Sequence, residues 1–383
     1  MKKLKLLKFD IIHPAEYLSE KKKEWGDVDK ISLAEYRNRL ISLRSNYSDF
    51  YTYHLNQQGD WEAEEFFLLD DDFIEKAGKE VLGKSYYYKR FLYGRGRTKL
   101  NFQKRKWRNY VVHNYIKHFK PDVIFARSQP IPSAFWRRYR KDTLLVARLS
   151  ARLPYSWHPN DWDLIYTDQP DFKTFFELHG VETILNDQGF DCRINEELRA
   201  GGSNEDVVFV GGLGTENFLK RTLFFNEVAQ HIQSFRWWGY WWKYGGDGRR
   251  IQDFPMLEKC FQGATSGLEM LQIYKDSFAV VNDYVDTANS IGFNQRIFEV
   301  MGVGGFLVTR DAPNFREHFP EDVFVTYKDL VDLQQKLDYY KSNPGERLKI
   351  TNNAKAYIKE NYDYERICHY FSKDLKKSLR AKN

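Results

Sequence analysis

The chain has 383 residues, 42% of them hydrophobic and 17% aromatic, and carries 59 Lys and Arg against 53 Asp and Glu, a formal charge of +6. That is longer than one hydrophobic core usually grows, so two domains are expected, and the apolar content excludes general disorder. Three widely spaced cysteines, Cys192, Cys260 and Cys368, form no CxxC pair; they exclude a disulfide framework or a structural zinc site and point to a reducing compartment.

The opening, MKKLKLLKFDII, has a basic start, but Lys8 and Asp10 interrupt its apolar run and no small-residue cleavage site follows. It reads as a first β-strand and not as a signal peptide. His13 comes just after it, where the carboxyl end of a strand would present a catalytic group, and is a candidate general base. Asp70, Asp71 and Asp72 fall in an acidic, helical run that reads as solvated and not as a metal motif. From 84 to 120 there are twelve Lys or Arg and no Asp or Glu, interleaved with Tyr, Phe and Trp. That balance points to an anionic partner: a lipid headgroup, a lipid-phosphate acceptor or nucleic acid. No run of about 18 uninterrupted apolar residues occurs anywhere, so no segment is expected to span a membrane.

Short apolar runs follow at 121–128 (PDVIFARS), 143–150 (TLLVARLS) and 162–167 (WDLIYT). Their alternation with polar stretches is the pattern of parallel strands joined by helical crossovers. Arg127, Ser128 and Gln129 end one of these runs and are candidates for binding acceptor or sugar. Asp161 and Asp163, in SWHPNDWD, and His158 are further candidates for acid–base work. Around 191–205 the chain turns polar and glycine-rich, which marks the expected linker.

The pattern then restarts. DVVFVGGLGTENFLKRTLFF reads as strand, glycine loop and amphipathic helix, and Gly211, Gly212 and Gly214 would let backbone amides approach a phosphate. It is neither a GxGxxG fingerprint, since Asn217 takes the last glycine's place, nor a Walker loop. FRWWGYWW offers Trp237, Trp238, Trp241 and Trp242, of which at least half are expected in the core. FAVVND, GFLVT and DVFVTY supply further strands, and Asn343, Pro344 and Glu346 form a helix-start pattern. Between them, SIGFNQRIFEVMGVGG reads as a helix from Asn294 that stops at Gly304 and Gly305. Ile297, Val300 and Met301 make its apolar stripe, and Gln295, Glu299 and Gly302 share another face. Two successive α/β units imply an α/β fold of two doubly wound, Rossmann-like domains facing across a cleft, with ligands at the carboxyl ends of strands.

The block from Asn294 to Thr309 resembles the signature of the CgeB-like glycosyltransferases, a bacterial group of GT-B architecture. The family pattern is an N-x-R-x-[FY]-E helix, a glycine turn and an L-[LV]-T-[DR] strand; here these are Asn294, Arg296, Phe298 and Glu299, then Gly304 and Gly305, then Leu307 to Arg310. The likeness extends loosely over most of the chain, with Asn361 where the family usually has a histidine. It implies an acceptor domain over 1–190, a nucleotide-sugar domain over 206–360 and a C-terminal helix, 361–383, that crosses back to the first. It implies that Glu299 accepts hydrogen bonds from ribose hydroxyls. Gly212, Gly214 and the amides near Asn294 would face the phosphates, Arg296, Lys220 and Arg221 would neutralise the diphosphate, and Gly263, Ala264 and Thr265 would read the base. Ile291 stands where many retaining members carry a second glutamate, so the stereochemistry does not carry over. No metal and no cofactor beyond the nucleotide-sugar substrate is expected.

Three readings stay open at this stage. The first is a cytoplasmic glycosyltransferase working on a cell-surface glycan or its lipid-linked precursor, with the 84–120 segment touching the inner face of the membrane. The second is an inactive coat or surface-assembly protein of the same fold. The third, a DNA-base glycosyltransferase, is permitted by the basic segment but not required by it, and nucleic acid is the less favoured partner.

Overall fold

Short, buried apolar strands can only be satisfied inside a sheet that is covered on both faces, and that is what the chain builds. The computed structural model describes residues 2–382 except 13, 47, 95–100, 129, 150–155, 187, 203, 243–246, 287–292 and 313–314. The chain divides into two units, residues 1–186 with 368–383, and residues 187–367.

In the first unit β1 (Leu4–Asp10), β2 (Trp61–Phe67), β3 (Val123–Ala126), β4 (Leu144–Arg148), β5 (Leu164–Thr167) and β6 (Glu182–Leu185) form one parallel sheet in the order β2-β1-β3-β4-β5-β6. The order reverses between β1 and β3, so the crevice of this doubly wound unit opens beyond their carboxyl ends. β2 is the strand that periodicity hides, because its sequence, WEAEEFF, carries three glutamates. One of them, Glu65, is buried opposite Lys8 on β1, with Lys8 Nζ 3.0 Å from Glu65 Oε2 and 3.3 Å from Asp10 Oδ2. The charges that interrupt both apolar runs thus satisfy each other. Asp70 is likewise no solvated acid. It is buried, caps the helix Asp71–Leu82 by accepting from Phe73 N at 2.8 Å, and accepts from the Tyr36 hydroxyl.

The second unit holds β7 (Val207–Val210), β8 (Leu213–Gly214), β9 (Phe235–Trp238), β10 (Trp241–Trp242), β11 (Ala279–Asn282), β12 (Leu307–Arg310) and β13 (Val325–Tyr327). Five of these make a parallel sheet, β13-β12-β11-β7-β9, while β8 and β10 pair as a small parallel ribbon. Its core gathers Phe209, Phe225, Trp237, Leu257, Val281, Val308 and Tyr327 under the sheet. Of the tryptophan cluster, Trp237 is fully buried and Trp241 packs against this core, whereas Trp238 and Trp242 keep part of their surface in solvent. The expected linker at 191–205 lies inside this unit, where Ile194–Glu197 is a helical turn and Gly202 N donates to Asp276 Oδ1 at 2.9 Å. The change of unit comes earlier, at 186–187, and the chain returns to the first unit within the helix Tyr364–Lys382. Asn343 caps the helix Pro344–Asn361 without a side-chain bond to it, since its amide donates instead to Tyr339 O.

Candidate functional site

In the second unit the strand order reverses between β7 and β11, which places the ligand crevice beyond Val210 and Asn282. The helix that supplies this crevice, α1 (Gln295–Val303), begins at Asn294 and ends at Gly304, whose φ of 81° is the left-handed turn that glycine accepts most readily. Ile297, Phe298, Val300 and Met301 are buried, which fixes the helix's rotation and leaves Arg296 and Glu299 on the half-buried side.

Arg296 reaches back across both central strands. Its Nη1 donates to Asn282 Oδ1 at 2.5 Å, its Nη2 donates to Val210 O, and its guanidinium lies 4.6 Å from the centre of the Phe209 ring. A Cβ at Gly211 would stand 2.5 Å from that guanidinium, so the arginine's approach requires glycine there. Asn282, fully buried, organises the rest: its Oδ1 also accepts from Asn294 Nδ2 at 2.9 Å, and its own Nδ2 donates to Thr309 Oγ1 at 2.9 Å. Sequence reasoning missed Asn282. The only signal was a polar residue closing the apolar run FAVVN.

The second cation is Arg221, on the helix α2 (Leu219–His231). It is 5% exposed, sandwiched between the rings of Phe209 and Phe218 at 5.4 and 4.8 Å, and donates to Gly212 O. Burial and the neighbouring Arg296 charge push its pKa down to about 9. Among the described residues neither guanidinium forms an ion pair with a carboxylate, and the Nε of each is buried without an acceptor. By contrast Arg310, at the end of β12, is fully engaged with Asp283 at 2.8 and 3.0 Å. A buried cation without an ion-paired carboxylate is costly, and a half-buried second one on the same ring adds to that cost; the arrangement gains most from an anion that takes both.

Glu299 lies one turn further along α1. The residue is half-buried, and this partial loss of water pushes its pKa up to about 7 against the pull of Arg296 and Gln295.

Several expected donor residues have other work. Gly214 N donates to Thr222 Oγ1 at 2.9 Å, so that amide is not aimed at a phosphate. Gly212 and Gly214 are small because Tyr240 and Trp242 pack within 3 Å of where their Cβ atoms would be. Lys220 is exposed, and its backbone N–H donates to Asp286 Oδ2 at 3.0 Å. Gly263, with φ of 104°, accepts from Gly239 N. Ala264 and Thr265 line a groove of about 740 Å³ that runs beside Trp238 and Gln272, and the Thr265 hydroxyl is buried there without a partner.

In the first unit the candidates separate. His13 and Gln129 lie outside the described residues. Asp163 precedes β5, at the amino end of the sheet and away from any crevice. There it accepts from Arg140 and Leu145 N at 2.8 Å each and from Lys382, which makes it a structural anchor and not a base. Asp161 is buried, accepting from Ser133 Oγ at 2.6 Å, with Arg137 3.3 Å away. His158 N donates to the same Ser133 hydroxyl. Asp10, which sequence reasoning passed over, does sit at the carboxyl end of β1 beside the reversal point, and accepts from Ser128 Oγ at 2.5 Å.

Residues 220–372, less than half of the chain, match the family described as glycosyl transferase-like. Solved structures of the same fold include a glycosyltransferase from Rickettsia africae (TM-score 0.55, 11% identity, 99% of each chain covered). Sucrose-phosphate synthase from Thermosynechococcus elongatus aligns with a TM-score of 0.54 and 12% identity over 99% of this chain and all of that one. Anabaena HepE in complex with UDP-glucose gives 0.54 and 14% over 98% and 100%. At such identities the likeness shows the fold, which is GT-B. No curated protein sequence matches the chain.

Proposed function

We propose that the protein is a GT-B glycosyltransferase whose second unit binds a nucleoside-diphosphate sugar, with the diphosphate held by Arg221 and Arg296 and the ribose by Glu299. The observation that carries this reading is the pair of guanidiniums on Phe209, Arg221 buried and Arg296 half-buried, neither of them ion-paired with a carboxylate among the described residues. Charge develops on the diphosphate as the glycosidic bond to it breaks, and two fixed cations already in place stabilise that charge without reorganising. The glycosyl transferase-like match over 220–372 supports it, and so does HepE, which shares the fold and was crystallised with UDP-glucose. Acceptor activation belongs to the first unit, where Asp10 is the described carboxylate best placed at a strand's carboxyl end. The acceptor is an anionic or lipid-linked glycan of the cell surface, met at the inner face of the membrane from the cytoplasm, and transfer runs without a catalytic metal. Among the described residues no helix is long and apolar enough to cross a membrane.

Thermal-shift screening against UDP-, GDP-, dTDP- and CMP-sugars tests the donor class. A ligand present at a hundred times its dissociation constant stabilises by about 2.7 kcal/mol, so a true donor gives a clear rise. Stabilisation by none of them would remove the proposal.

The perturbed carboxyl also sets a pH dependence. Donor affinity is expected to fall as pH drops through about 7, where Glu299 takes up a proton and becomes a poorer acceptor for ribose hydroxyls. Calorimetry from about pH 5.5 to about 8.5 reads this limb. Glu299→Gln should bind more weakly overall and lose the acid limb; an acid limb that persisted in Glu299→Gln would place the titrating group elsewhere.

A further inference from the structure

The helix Tyr86–Gly94 is turned the wrong way round for an ordinary surface helix. Its inward side is made by the buried Tyr86 and by Arg90, with Lys89 half-buried and Tyr93, 39% exposed, at the edge. Tyr86 is buried and donates to Glu75, Arg90 pairs with Glu75 at 2.8 Å and lies over Trp107, and Tyr93 stacks on Tyr110 with ring centres 4.2 Å apart. A Cβ at Gly78, on the helix beneath, would meet Trp107 and Tyr86 at 3.1 and 3.3 Å, so the packing that fixes this rotation is tight. The remaining positions, spaced i, i+1, i+4 and i+5, therefore point out, and they are Tyr87, Tyr88, Phe91 and Leu92, exposed by 78, 63, 45 and 52%.

We infer that this aromatic face is a docking surface for an anionic lipid bilayer. Tyrosine and phenylalanine belong at the boundary between headgroups and acyl chains, where an apolar ring and a polar tip are both accommodated. Lys84 and Lys89 flank the face, Lys84 exposed and Lys89 with its ammonium 5.7 Å from the Tyr88 ring, and lysines beside an interfacial helix gain from a negative headgroup layer. The sequence between 84 and 120 adds no acid of its own. Part of that basic run is paired from the helix below, where Asp71 takes Lys104 and Glu75 takes Arg90. A second copy of the chain is a poorer occupant: an isologous contact through this face would set the same cations against each other. The inference deepens the membrane-surface part of the proposed function, but it rests on residues remote in sequence from the donor site, and its readout does not involve the donor.

The test is co-sedimentation of the full chain with vesicles of phosphatidylcholine and phosphatidylglycerol in equal parts, and with vesicles of phosphatidylcholine alone. Wild type should bind the anionic vesicles in a salt-sensitive way and the neutral ones weakly. Tyr87→Ser/Phe91→Ser/Leu92→Ser should weaken anionic-vesicle binding by about ten-fold or more, with an unchanged circular dichroism spectrum and unchanged nucleotide affinity. Phe91→Trp, which keeps an interfacial ring, should bind at least as well as wild type. Equal sedimentation of wild type and the triple variant would overturn the inference. So would a wild type that ignores vesicles but self-associates through this face, seen as a dimer that the triple variant abolishes.

Discussion

Arg221→Met is expected to weaken nucleoside-diphosphate binding by about ten- to a hundred-fold while leaving the unliganded protein as stable as before, or more so. The loss follows from removing charge-assisted hydrogen bonds to a phosphate, at roughly 1.5–3 kcal/mol. The retained stability follows from the site's own energetics. Arg221 is buried between two phenylalanine rings with a second arginine beside it and no carboxylate on it, and its lowered pKa records that cost. An unbranched apolar side chain of similar length fills the same slot without the charge. The structural debits are the hydrogen bond to Gly212 O, the cation's contacts with the Phe209 and Phe218 rings and the attraction of Asp283 and Asp286, set against the removal of a buried charge. Opposite signs for ligand affinity and apo stability are the signature of a residue kept for binding. A purely structural arginine would lose stability on replacement and leave affinity alone, so thermal denaturation and calorimetry on one variant separate the two.

Gly239→Ala is expected to have the largest effect on the fold of the second unit. Gly239 follows β9 with φ of 147°, and a Cβ there would lie 2.1 Å from Gly211 O. The obstacle is backbone and not the end of a flexible side chain, so β7 and β9 must part at their carboxyl ends. Strain and overpacking together should cost about 2–5 kcal/mol. The same movement displaces Val210, whose carbonyl accepts from Arg296, and Gly211, whose carbonyl accepts from the Trp237 indole, so nucleotide affinity should fall along with the melting temperature. A variant that melts within a degree of wild type would show that this close approach is not a constraint in solution.

What could be read from the sequence follows physical lines. The helix from Asn294 to its glycine stop was legible because its apolar stripe, its polar face and its break are all local, and the structure gives Gln295–Val303 with Gly304 at the turn. Apolar strands were legible for the same reason. β2 was not, because its glutamates are matched by distant cations, Glu62 by Lys5, Glu64 by Arg37 and the buried Glu65 by Lys8, and no local pattern reports such pairings. The glycine loop is ambiguous in another way: Tyr240 and Trp242 pack where the Cβ atoms of Gly212 and Gly214 would be, a packing constraint that looks identical in sequence to a phosphate cradle. Arg296 and Arg221 were found as charges, but that they share one ring, with no carboxylate ion-paired to either among the described residues, is a property of the fold alone. Asp161 and Asp163 were chosen by residue type, and the sheet's direction puts Asp163 at the wrong end.

The central claim is that a nucleoside diphosphate sits between Arg221 and Arg296 with its ribose on Glu299. The most direct measurement is a crystal structure of the protein with whichever nucleoside diphosphate raises its melting temperature most. The account predicts phosphate density within hydrogen-bond reach of both guanidiniums and the ribose hydroxyls donating to Glu299. Density for the diphosphate at any other place, with Arg221 and Arg296 still bare, would contradict it.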